Sequence, residues 1–139
     1  MIPFISRLSL MLAFSTATHL AHAQDLGCPN AVSLNGGTIE VEADASGDDT
    51  ENIQCALNAA TDGGYRDVFL TSPDYSIGAI AVTGFVGDLR GGGKVNTNVS
   101  IQDSSLSCDG AFGVALEFRL GTASVRNMTL SVDSPCGDG

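Results

Sequence analysis

Between Asp48 and Ala60 the apolar residues Ile53, Ala56, Leu57 and Ala60 follow the i, i+3, i+4, i+7 spacing that gathers them on one face of a short amphipathic helix. Asp48 or Asp49 is placed to cap the free N–H groups of that helix, Glu51 stands three residues after Asp48 as in a capping box, and Gly63-Gly64 predicts its end. Past the helix the pattern changes to short, β-branched, alternating runs punctuated by Gly, Ser, Asp and Asn. Six strands are predicted: Asp67 to Thr71, Ile77 to Thr83, Phe85 to Leu89, Asn98 to Gln102, Val114 to Phe118 and Ser124 to Val132.

So many strands in so short a span suit a sandwich or a solenoid, and a fixed repeat decides for the second. The pair Val68/Leu70 recurs as Val99/Ile101 after 31 residues and as Met128/Leu130 after a further 29. Asn98-Val99-Ser100-Ile101, followed by Asp103-Ser104 and Cys108, parallels Asn127-Met128-Thr129-Leu130, followed by Asp133-Ser134 and Cys136. Each unit then reads as one coil of three strands stacked on the next at about 4.8 Å, with Val68, Val99 and Met128 at one rung position and Asn98 above Asn127.

The N-terminal stretch stands apart. Arg7, the apolar run Leu8 to Phe14 and Ala21-His22-Ala23 form the three-part pattern of a signal peptide, residues 1–23, cleaved before Gln24. The polar residues Ser15, Thr16, Thr18 and His19 interrupt the run too early for a membrane span. The mature segment, residues 24–139, is expected outside the cytoplasm, in the periplasm or beyond the cell. Both histidines, His19 and His22, leave with the signal, which removes Ser-His-Asp, Cys-His and His-zinc chemistry.

Cys28, Cys55, Cys108 and Cys136 all remain. An even count in an exported chain predicts two disulfides, and three pairings are open. Stacked coils favour Cys108 with Cys136, which leaves Cys28 with Cys55. Without a C-x2-C pair, a four-thiolate zinc site is disfavoured. Of the whole chain's 139 residues, 6 are basic and 16 acidic, so the mature charge is 5 − 16 = −11 once Arg7 is lost. Such a charge excludes nucleic acid and anionic membrane as partners.

Asp48-Asp49-Thr50 with Ile53-Gln54, Ala56-Leu57 and Ala59-Ala60, then Asp67-Val68-Phe69-Leu70, Tyr75-Ser76-Ile77 and Asp88-Leu89-Arg90-Gly91-Gly92-Gly93-Lys94, together resemble the N-terminal end of the pectate lyase superfamily. The resemblance covers residues 37 to 130, with Pro73 where the family usually has Gly. It implies an all-β fold, a right-handed parallel β-helix of two to three coils closed at its start by one short capping α-helix. Catalytic members are longer and carry their active residues on later coils. Ser134 to Gly139 are too few and too polar to cover the last coil, so its C-terminal edge is expected to stack on further coils or on another chain.

No local motif selects a catalytic, cofactor or metal residue. Gly91-Gly92-Gly93-Lys94 fails as a phosphate loop, because Asp88 replaces the first Gly and Val95 follows the Lys. Arg90, Lys94, Arg119 and Arg126 are candidates for the basic residue of a lyase; Asp88, Asp103, Asp109, Glu117 and Asp133 are candidates for a glycosidase carboxylate pair. Asp44, Asp48, Asp49 and Glu51 are better explained by the helix dipole than by calcium. The sequons Asn98-Val99-Ser100 and Asn127-Met128-Thr129 fall on predicted strands. The favoured reading is a non-catalytic surface or carbohydrate-binding solenoid; the alternative is the N-terminal part of a polysaccharide lyase or glycoside hydrolase. A uronate polymer would require bridging Ca2+, and otherwise the glycan is neutral.

Overall fold

The computed structural model describes residues 26–102 and 115–132. The signal segment 1–23, Asp103, Cys108, Asp109, Asp133 and Cys136 lie outside the described residues.

The described residues are mostly β with one helix. A hairpin of β1 (Val32–Asn35) and β2 (Thr38–Val41) precedes α1 (Thr50–Gly63). Eight short strands follow: β3 (Asp67–Leu70), β4 (Asp74–Ile77), β5 (Ile80–Thr83), β6 (Val86–Gly91), β7 (Asn98–Ile101), β8 (Leu116–Arg119), β9 (Thr122–Arg126) and β10 (Thr129–Val132). They form three sheets, with neighbour orders β1-β2-β3-β6-β9, β4-β7-β10 and β5-β8. Among the described residues only β1 and β2 pair antiparallel, and the other pairings are parallel. From β3 to β10 the chain visits the first, second and third sheets in unbroken rotation.

Alternation within each strand sends one set of side chains inward. Ile39, Val68 and Leu89 stack along the first sheet, Tyr75 and Val99 along the second, and Ile80 and Val82 supply the third; all are buried. The apolar face of α1, with Ile53, Ala56, Leu57 and Ala60 buried, packs against β1, β2, β3 and β5. Burying side chains the size of Ile53 and Leu57 contributes about 1.5 to 3 kcal/mol each. The disulfide Cys28–Cys55, with Cα atoms 5.7 Å apart, ties the segment before β1 to the helix.

The helix ends at Gly63-Gly64, as expected. Its C-cap is Gly64, left-handed at φ 70°, where a residue without Cβ is favoured. The N-cap is Asp49, and no side chain of the cap bonds the helix, so the expected capping box between Asp48 and Glu51 does not form. Asp48 instead accepts from the Thr50 N–H (3.0 Å) and hydroxyl (2.6 Å).

The repeat is corrected by the pairings. Val68 stacks on Ile39 and Leu89, whereas Val99 lies in another sheet between Tyr75 and Leu130. Met128 is not its partner, and Asn98 pairs with Thr129 rather than Asn127. Asn127 belongs to the corner before β10, at φ 57°. Because side chains alternate with period two, a shift of two residues leaves the inward pattern unchanged and is invisible to hydrophobicity alone. Two expected strands are each split by a corner: Ile77 to Thr83 into parts of β4 and β5, and Ser124 to Val132 into parts of β9 and β10. The hairpin β1–β2 was not expected, although Asn35-Gly36-Gly37 carries the turn signal, with positive φ at both glycines.

Candidate functional site

The outward set of the first sheet forms an ordered polar face. Register places Asp67, Asp88 and Ser124 in one row across β3, β6 and β9, and Glu40, Phe69, Arg90 and Arg126 in the next across β2, β3, β6 and β9. Diagonal ion pairs link the rows. Arg90 holds Asp67 with two bonds, Nε to Oδ1 at 2.6 Å and one NH2 nitrogen to Oδ2 at 2.8 Å, and Arg126 donates to Asp88 Oδ2 at 2.7 Å. Thr38 Oγ1 adds a bond to Asp67 Oδ2 at 2.8 Å. The Arg90 guanidinium also lies 4.2 Å from the centre of the Phe69 ring, a cation–π geometry.

These contacts set the protonation states. The hydrogen bond from Arg90 holds the Asp67 carboxyl below its ordinary value, and Arg126 does the same for Asp88. On the third sheet, Arg119 holds Glu117 low through a two-bond pair at 2.7 Å. A general acid for glycoside hydrolysis needs a raised carboxyl, and these three are depressed. No family model, curated protein or solved structure matches this chain.

The other candidates separate in space. Arg90 and Arg126 share the polar face, Arg119 lies on another sheet, and Lys94 sits in the turn between β6 and β7. That turn, which includes Gly91-Gly92-Gly93-Lys94, is held by its own bonds and by the next strand connection: the Gly92 N–H donates to Thr97 Oγ1 at 2.9 Å, the Thr97 N–H to the Gly93 carbonyl at 2.9 Å, and the Gly93 N–H to the Asn127 carbonyl at 2.9 Å. Asp44, Asp48, Thr50, Glu51 and Asn52 line a hollow of about 480 Å3 beside the start of α1. Among the described residues no group of His, Cys, Asp or Glu is arranged to hold a metal ion. Asp49, buried, is a structural tie: it accepts from the backbone N–H groups of Asp44 and Ser76. Of the two sequons, Asn98 is half-buried on β7 and Asn127 is exposed at a corner rather than on a strand.

Sequence reasoning singled out Arg90, Arg126 and Asp88 but not Thr38, Glu40, Asp67, Phe69 or Ser124 as members of a site. Their signal is their place in the outward half of each alternating strand. That signal becomes a site only when the strands that lie side by side are known.

Proposed function

We propose that this protein is an exported, non-catalytic solenoid that binds an extended neutral polysaccharide along the outer face of β2, β3, β6 and β9. We read the three-sheet rotation as a right-handed parallel β-helix of the pectate lyase superfamily type, with α1 as its N-terminal cap. The rotation of parallel strands supports this winding, as do the Asp49, Thr50 and Gln54 contacts that bind the start of α1 to Ser76, Gly78 and Ala81. The Cys28–Cys55 disulfide suits an oxidising compartment, and no described helix is long and apolar enough to cross a membrane.

The observation that carries the ligand class is the internal pairing of the face. Its three carboxylates, Glu40, Asp67 and Asp88, are set against two guanidiniums, so the face bears a local charge of −3 + 2 = −1 while the mature chain bears −11. Polar rows repeating at the strand spacing of about 4.8 Å offer a flat track of donors and acceptors for sugar hydroxyls, with Phe69 as the apolar element. A polyanionic uronate chain gains nothing from such a face without a bridging cation.

Retention of the purified protein on immobilised neutral glycans tests this reading, with pectate as a comparison with and without calcium. Binding to a neutral glycan, lost in Phe69→Ala and in Arg90→Ala, is expected. Binding only to pectate with calcium overturns the ligand class, and sustained release of unsaturated products overturns the non-catalytic reading.

A further inference from the structure

Asn52 departs from the pattern of its own helix. It stands four residues before Ala56 on the buried face of α1, where the stripe would take an apolar side chain, and it is only 2% exposed. Its Nδ2 has no hydrogen-bond partner among the described residues. A buried donor left in that state destabilises the fold, so it calls for an acceptor that the chain itself does not supply.

Asn52 is also part of the wall of the hollow of about 480 Å3 beside the start of α1, together with Asp44, Asp48 and Glu51. The terminal amide torsion of Asn is soft, so Nδ2 swings readily toward an acceptor seated there. The three acids keep bonding capacity for a ligand. Asp44 accepts from the Ser46 N–H and Asp48 from Thr50, each through Oδ1, and the described ion pairs involve other residues. The residues around the hollow include no Lys, Arg or His. The helix N-terminus offsets about half a unit of charge, which leaves most of the negative charge uncompensated.

We propose that this hollow binds an amino sugar unit. The uncompensated acids call for a cation. Among the described residues no group of acids is arranged to hold a metal ion, so the ligand has to spread its donors over a wider frame, as an ammonium and several hydroxyls do around a sugar ring. Asn52 in turn needs an acceptor, which a hydroxyl or ring oxygen offers and a plain polyamine lacks. The volume is that of a small-molecule site. No residue of the polar face on β2, β3, β6 and β9 lines the hollow, so this inference is independent of the glycan reading.

Titration calorimetry of the purified protein with glucosamine, glucose, spermidine, trialanine and calcium tests it. Glucosamine is expected to bind at least about five-fold more tightly than each of the others, and less tightly as salt is raised. Glu51→Gln is expected to weaken glucosamine binding about five-fold or more. Asp62→Asn, which removes an exposed acid at the far end of α1, is expected to leave it unchanged. Asn52→Leu removes the unpartnered donor, so it is expected to weaken binding about five-fold while raising the urea midpoint. Absence of glucosamine binding, equal binding of any of the other four probes, or binding unchanged in Glu51→Gln overturns the inference. So does an Asn52→Leu variant that binds as the parent does or unfolds at a lower midpoint, since the amide would then serve the fold alone.

Discussion

Asp49 is almost wholly buried, and its carboxylate faces two backbone donors, Asp44 N–H and Ser76 N–H. Asp49→Ala removes both bonds, and because Asp44 is exposed and Ser76 half-buried, water can replace the lost acceptor and each bond is worth about 0.5 to 1.5 kcal/mol. The expected loss is about 1 to 3 kcal/mol, read from the shift of the urea midpoint at unchanged slope. Asp67 behaves differently because it is partly exposed. Arg90 holds its carboxyl low, so the stabilisation from the pair is complete above the ordinary carboxylate value of about 3.9 and is lost as pH falls through the lower folded value. Asp67→Asn is expected to cost about 0.5 to 1 kcal/mol at neutral pH. That gap between variant and parent should close in acid, which urea midpoints measured from neutral pH downward will show.

At the scale of elements, α1 was legible because its stripe, its acidic start and its terminal glycines are all local features. Its end was legible as well: Thr61 and Asp62 add no apolar signal, but Gly63-Gly64 marks the stop, and the left-handed Gly64 sets it. The disulfide holds this helix to the preceding segment across 27 residues. A loop of that size corresponds to about 3 to 4 kcal/mol in the chain-entropy account. Cys55→Ala is expected to lose about that much in thermal unfolding, with reductant then having little further effect through this bond. The corners have their own constraint. A Cβ at Gly121 would run into the Phe85 backbone, so Gly121→Ala is expected to cost about 1 to 3 kcal/mol. Gly92→Ala meets nothing closer than 3.7 Å and should change the midpoint little.

For the whole molecule, two expectations from the sequence concern residues outside the described ones. Mass spectrometry of exported protein is expected to place the mature start at Gln24, and a peptide map to recover Cys108 joined to Cys136. Recovery of Cys108 or Cys136 linked to any other partner would refute the second. Stacking itself shows why the repeat could not be read from spacing. Along the first sheet, stacked residues are separated by 68 − 39 = 29, 89 − 68 = 21 and 125 − 89 = 36 positions, and along the second by 99 − 75 = 24 and 130 − 99 = 31. Connections of unequal length break any fixed period while leaving the paired strands in register.

What the amino-acid order determined by itself was carried by neighbours a few positions apart: the helix, the alternation that marks inward side chains, and the turn chemistry of Gly63-Gly64. Only the tertiary structure decided which strands lie against one another. Between the parallel strands a ladder hydrogen bond joins backbone groups twenty or more residues apart and is the same for any side chain. The polar face of Asp67, Phe69, Asp88, Arg90 and Arg126 is a product of that register, since its members become neighbours only across strands.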